Sequence, residues 1–314
     1  MVPLLLLLLL LSIISLVKGS IIETPTRIVA LGDLHGDLEN SKHILRLAGL
    51  IDEQDQWVAE EGTVFVQTGD IVDRGTDTIA LYDLMQRLRK EAEEKGSLVV
   101  PLLGNHEIMN LGSDYRYVTE EEVATFGGWD ARMEAFQPDG FIGSYLVPLN
   151  ITTKVGRSVF CHGGIHPAFA QLGLDQINDF KHQDILKYME KHGRYDPHHV
   201  FGGHGPTWYR GYALDDEPNI CDVADTALKF LNADRMVMGH TVQRDGEIST
   251  RCNGKIILID IGISWVYGGH IGALEIIGDQ VNAIYEHGKV ELVPSTLLEK
   301  LDQQQKKFIH QELK

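Results

Sequence analysis

The sequence predicts an α/β fold: a mainly parallel sheet with helices on its faces, followed by a second, antiparallel sheet. Three observations carry this expectation. Apolar runs of strand length alternate with longer helical stretches between residues 27 and 103, which is the grammar of a parallel sheet. Each of those runs ends in a Gly-Asp or Gly-Asn pair, and ligand sites of such sheets lie beyond the carboxyl ends of the strands. Further on, residues 256–259, 272–277 and 281–285 are short β-rich segments, read as the second sheet.

The elements follow in order. Arg27-Ile-Val-Ala-Leu31 is a strand running into Gly32-Asp33, and a helical stretch follows from Leu38 to about Leu50. The second strand, Thr63-Val-Phe-Val-Gln67, leads to Gly69-Asp70. Ile79, Leu81, Leu84, Met85 and Leu88 give residues 76–95 helical periodicity. Ser97-Leu-Val-Val-Pro-Leu-Leu103 is the third strand and ends in Gly104-Asn105-His106. Residues 108–145, with Arg116, Tyr117, Trp129, Arg132 and Phe136, are less regular and read as an insertion near the site. Val159-Phe-Cys161 runs into His162, and Arg235-Met-Val-Met238 into Gly239-His240. Between them, residues 193–220 are rich in Gly, Pro, His and aromatics, as expected of a functional loop. Leu297, Leu298, Leu301 and Phe308 mark an amphipathic helix in the tail, residues 291–314.

Composition narrows the function classes. The chain has 314 residues, 43% hydrophobic and 23% charged, enough for one sizeable core. Its 28 basic and 45 acidic residues give a net charge of −17, which repels long polyanions and argues against a nucleic-acid binder. A small phosphate ester is not excluded, because metal ions reverse a local field. Residues 4–11 are an unbroken leucine run extended to Val17. This fits the h-region of a signal peptide cleaved after Gly19, with an uncleaved signal anchor as the alternative. The secretory pathway (ER lumen, vacuole or exterior) is the expected location. The three cysteines are too few for a disulfide scaffold. In an oxidising lumen Cys221 and Cys252, both outside the core strands, can pair and leave Cys161 free. Asn150-Ile-Thr152 is a glycosylation sequon.

The chemistry sits in four blocks: Gly32-Asp-Leu-His-Gly36, Gly69-Asp-Ile-Val-Asp-Arg-Gly75, Gly104-Asn-His-Glu107 and His162-Gly163, joined by His240. They read as a binuclear metal site, in which a carboxylate at the end of the second strand bridges both ions. Asp70 suits the bridge, Asp33 and His35 complete the first ion, and Asn105, His162 and His240 the second. Imidazole and oxygen ligands without thiolate suit Fe, Zn or Mn.

These blocks resemble the signature series of the PPP phosphoprotein phosphatases. Leu103 to Asn110, Arg116-Tyr-Val118, Gly205-Pro-Thr-Trp-Tyr-Arg210, Gly239 to Gln243 and Ile259 to Ser264 are similar to the Shewanella-like branch of that family. The Ser-Ala-Pro-Asn-Tyr segment of the serine/threonine enzymes is missing, as in that branch, which leaves classical regulatory subunits unknown here. The resemblance covers residues 26–290. It implies a calcineurin-like metallophosphoesterase fold, an α+β sandwich of two central mixed sheets flanked by helices. It also implies two metal ions and a phosphoprotein substrate, with phosphotyrosine preferred. Arg74 and Arg210 would bind phosphate oxygens, His106 would protonate the leaving oxygen, Asp73 would orient His106, and a hydroxide bridging the metals would attack in line. Tyr117, Trp129, Trp208, Tyr209 and Tyr212 are expected to rim the phosphate clamp, whereas His166, His198, His199 and His204 are read as loop residues. A nucleoside polyphosphate or polyphosphate hydrolase is the alternative, disfavoured by the retained Asp73-Arg74 pair and the acidic charge. A non-catalytic relative is disfavoured because no ligand is lost.

Overall fold

The computed structural model describes residues 20–293. The expected signal peptide and tail helix lie outside the described residues. Strands β2 (Arg27–Leu31), β3 (Thr63–Gln67) and β4 (Leu98–Pro101) pair in parallel, with Leu31 opposite Gln67 and Gln67 opposite Pro101. Every residue of β3 is buried, as expected of a strand covered on both faces. Helices α1 (Leu38–Leu47) and α2 (Thr78–Glu94) make the crossovers between these strands. Asp37 caps α1 by accepting from the Asn40 N–H at 3.0 Å; β2 and β3 end where the sequence places them, whereas β4 stops at Pro101, short of the expected Leu103.

The second sheet differs from the expectation. Residues 256–259, 272–277 and 281–285 do not form one antiparallel sheet. Strand β9 (Ile256–Leu258) lies parallel to β7 (Arg235–Met238), which lies parallel to β6 (Ser158–Cys161). Strands β10 (Gly272–Ile277) and β11 (Gln280–Tyr285) pair antiparallel, but β10 then joins β2. With β12 (Gly288–Val293) they complete the first sheet, in the order β12-β11-β10-β2-β3-β4. The other sheet runs β1-β5-β6-β7-β9-β8, where β1 is Ile21–Ile22, β5 Thr152–Val155 and β8 Ser249–Arg251. Both are six-stranded and mixed, and the folded unit extends beyond residues 26–290 at each end through β1 and β12. Local apolar runs identify strands, but their partners are set by non-local packing.

The expected insertion is a run of short helices: α3 (Asn105–Leu111), α4 (Glu120–Phe126), α5 (Trp129–Ala135) and α6 (Gly143–Leu146). Two long helices had no counterpart in the sequence reading, Leu174–Glu190 and Asn219–Leu231. The second carries Cys221, which is bonded to Cys252 with Cα atoms 5.2 Å apart, while Cys161 is free and buried. Among the described residues, no helix is long and apolar enough to cross a membrane.

Candidate active site

The parallel registers bring five strand ends to one edge of the sandwich. Asp33 and His35 follow β2, Asp70 follows β3, and Asn105 and His106 follow β4 and open α3. His162 follows β6 and His240 follows β7. All are buried. The turns that aim them are unusual: His35, Asp70, Asp73, Arg74 and His240 all have positive φ, between 40° and 73°. Such backbone costs about 1–3 kcal/mol per residue and clusters at functional sites. Space is equally tight, because a Cβ on Gly104 would lie 2.1 Å from Asp70 Oδ1 and one on Gly69 2.2 Å from the Gly104 nitrogen.

Asp70 is the hub. Its Oδ2 lies 3.2 Å from His162 Nε2, 3.7 Å from His106 Nε2 and 3.8 Å from His35 Nε2. Burial works to raise this carboxyl, but His162, His106 and His35 outweigh it and hold it well below the usual carboxylate range. Burial pushes His35 down to about 4, despite Asp70 beside it. Burial raises Asp33 instead, aided by the carboxylates of Asp260 and Asp70.

The donor set fits metal ions. The His35 and His162 rings spend Nδ1 on the carbonyls of Val72 and Thr68, each at 3.0 Å, which leaves Nε2 as a lone-pair donor. His240 is reversed: Nε2 faces the Trp208 carbonyl at 3.2 Å, so Nδ1 carries the lone pair. His162 Nε2 then lies 3.1 Å from His240 Nδ1 and 2.9 Å from Asn105 Oδ1. Three lone pairs converging in a buried space repel one another unless a cation lies among them. Asp33 and Asp260 bring two further buried carboxyls to the cluster, each raised by its burial, and Asp260 Oδ2 has no hydrogen-bond partner.

The other predicted residues surround this hub. His106 Nδ1 meets Asp73 Oδ2 at 2.7 Å, with Nε2 facing Asp70. Burial works against the His106 imidazolium, but Asp70 and then Asp73 outweigh it and raise its pKa. Arg74 lies with its guanidinium carbon 4.2 Å from the centre of the Tyr117 ring and 5.9 Å from that of Tyr267. Arg210 is exposed at the rim, donating to the His240 carbonyl at 2.6 Å and to Thr241 Oγ1 at 3.1 Å.

The expected aromatic rim is only partly correct. Tyr117 stacks on His106 at 4.8 Å, and Trp208 meets His240 edge-on at 5.7 Å. Trp129 packs on Tyr115, Tyr209 on His166 and Tyr212, and the buried Tyr212 hydroxyl donates to the Ile165 carbonyl. Tyr267, which sequence reasoning missed, lies 5.1 Å from His35. Nothing local marks it, since it reaches the site through a turn after β9. Glu107, which the motif alone leaves without a role, accepts at Oε2 from the Asp70 and Gly104 N–H groups and at Oε1 from Ile71 N–H, all at 2.8 Å. It fixes the Asp70 loop to α3, and its place at the third residue of that helix was a readable signal. Of the four loop histidines, His166 caps residues 167–170 and His198 stacks on Phe180.

The calcineurin-like phosphoesterase family model matches residues 26–244. The chain is 35% identical to Shewanella-like protein phosphatase 2 of Arabidopsis thaliana, over 77% of this chain and 72% of that one. The chain belongs to the calcineurin-like phosphoesterases, in the branch of the Shewanella-like protein phosphatases. Shewanella-like protein phosphatase 1 of Plasmodium berghei is 34% identical, covering 76% of this chain and 67% of the relative. A solved cold-active protein-tyrosine phosphatase from a psychrophilic Shewanella matches with a TM-score of 0.77 and 28% identity, over 87% of this chain and 82% of that one. Membership of this branch makes the chain a metal-dependent protein phosphatase, and the buried cluster is its candidate active site.

Proposed function

We propose that this phosphatase acts on phosphoproteins, prefers phosphotyrosine over phosphoserine and phosphothreonine, and uses two cations drawn from Mn, Fe and Zn. The observation that carries the reading is the convergence on Asp70 Oδ2 of His162, His106 and His35. Asp33, His35 and Asp70 would hold one cation; Asp70, Asn105, His162 and His240 would hold the other. When bound, the cations supply positive charge to the phosphoryl group and acidify water. Arg74, braced on Tyr117, and Arg210, anchored on the His240 carbonyl, bind the phosphate oxygens. His106 delivers a proton from Nε2 to the leaving oxygen while Asp73 holds its Nδ1–H.

Two features support the tyrosine preference. Tyr117 and Tyr267 stand beside His106, His35 and Arg74, where a phenyl ring can stack, each pair contributing about 0.5–1.5 kcal/mol. The solved Shewanella relative is a protein-tyrosine phosphatase. The test is kcat/KM of the metal-loaded chain on matched phosphotyrosine, phosphoserine and phosphothreonine peptides, a dinucleoside polyphosphate and polyphosphate. Phosphotyrosine is expected to lead by a factor of a few to roughly ten. A lead for phosphoserine overturns the preference, and turnover confined to the anhydrides overturns the protein substrate.

The proposed location is the secretory pathway. The leader-like residues 1–19 and the Cys221–Cys252 bond support it. N-terminal sequencing of protein from its native source should find a chain beginning near Ser20. A cytosolic chain that begins at Met1 overturns this location.

A further inference from the structure

Arg132 is fully buried, and it is neither a candidate metal ligand nor part of the phosphate clamp. Its Nη1 donates to Asn110 Oδ1 at 2.8 Å, and its Nη2 to Asp73 Oδ1 at 3.3 Å and Glu122 Oε1 at 3.1 Å. The rings of Phe136, Phe126 and Tyr115 surround its guanidinium, with centres 4.8, 5.6 and 5.7 Å away. Such a site is dry, so the arginine needs a buried anion and the anion needs it.

Asp73 is that anion. Its carboxylate is wholly buried. Oδ1 accepts from Arg132 and from Asn110 Nδ2 at 3.0 Å, and Oδ2 alone is turned to His106 Nδ1 at 2.7 Å. Asn110 also ties the group to α3 by donating to the His106 carbonyl at 2.9 Å. The carboxylate thus has one face held by α5 and α3 and the other presented to the imidazole. Glu122, on α4, accepts from Thr78 Oγ1 at 2.7 Å on the same Oε1 that meets Arg132, while its Oε2 has no hydrogen-bond partner.

We propose that Arg132 is a positioning residue for proton delivery: with Asn110 it locks the Asp73 carboxylate, and so the His106 ring, in line with the leaving oxygen. The helices of residues 120–135 then serve the chemistry by supplying this arginine from behind. The proposal rests on His106 being the proton donor.

A residue that acts through a proton donor matters in proportion to how much the leaving group needs the proton. Two substrates separate this role from a structural one: a phosphoserine peptide, whose alkoxide needs the proton, and 2,4-dinitrophenyl phosphate, whose phenolate does not. The charge-balanced double variant Arg132→Met with Glu122→Gln should lose roughly 10–100-fold in kcat on phosphoserine, the scale of losses on removing supporting partners, and change little on the dinitrophenyl ester. On an Asp73→Asn background, Arg132→Met should add no further loss. Arg132→Lys keeps the charge without the fork and covers the case in which the double variant does not fold; it should show the same bias to a smaller degree. Equal losses on both substrates, or losses additive with Asp73→Asn, overturn the role. His106→Ala is run beside them. If it shows no leaving-group bias, the donor reading itself fails; if it shows the bias and the Arg132 variants do not, only the present proposal fails.

Discussion

Asp70→Asn is expected to abolish turnover and to leave the purified chain depleted of metal. The reason is geometric. Asp70 Oδ2 is the atom on which three imidazoles converge, and an amide offers neither a second anionic oxygen nor the charge that balances two cations. The loss should reach about a thousand-fold or more, since metal ions supply several kcal/mol of transition-state stabilisation. The fold has reason to survive, because the Asp70 loop is also held through its own N–H by Glu107. Elemental analysis and phosphatase assays on a variant shown to be folded by circular dichroism give the answer. A folded Asp70→Asn chain with wild-type metal content would falsify the bridging role. The wild type should in turn be inactivated by chelation and restored by Mn.

His106→Ala should separate substrates that the wild type treats alike as phosphate donors. A phenol of pKa about 10 leaves more easily than a serine alkoxide. Removal of a positioned proton donor costs about 100–10,000-fold where the proton is needed. Phosphoserine hydrolysis is therefore expected to fall toward the upper end of that range and phosphotyrosine hydrolysis toward the lower. The structure sharpens the expectation, because His106 sits with Nδ1 committed to Asp73 and Nε2 turned into the cluster, 3.7 Å from Asp70 Oδ2. The variant also removes the ring on which Tyr117 stacks, so KM for aryl substrates should rise as well. Separate kcat and KM values for both peptides distinguish these effects. Equal kcat losses on the two would remove His106 from the role of leaving-group acid.

What the sequence could reveal follows from where the information lies. The strands Arg27–Leu31, Thr63–Gln67 and Arg235–Met238 are apolar runs that stop at glycine or a polar turn, and their ends were readable to the residue. The six candidate ligands were legible for the same reason, each being tied to a strand end. The helix Leu174–Glu190 was not, because its buried face carries Asn178, Lys181 and Asp184 among Ile177, Ile185 and Met189. Those polar positions break the 3.6-residue apolar stripe that announces a helix. Sheet membership of β9, β10 and β11 depends on which strand each meets, and no local pattern encodes it. Arg132 and Asp73 lie 59 residues apart in the chain. A lone arginine in an irregular stretch gives no sign of a buried partner.

The division of the six candidate ligands between the two sheets bears on when the molecule becomes active. Asp33, His35, Asp70 and Asn105 leave the first sheet, His162 and His240 the second. The first sheet closes only when β10 docks on β2, more than two hundred residues downstream. A nascent chain that has emerged as far as β4 has the N-terminal motifs and no catalyst. Competence arrives late in synthesis, when His240 and the closing strands are in place. On this reading an unfinished chain is harmless to the phosphoproteins around it, and hydrolytic activity itself certifies that both layers have come together.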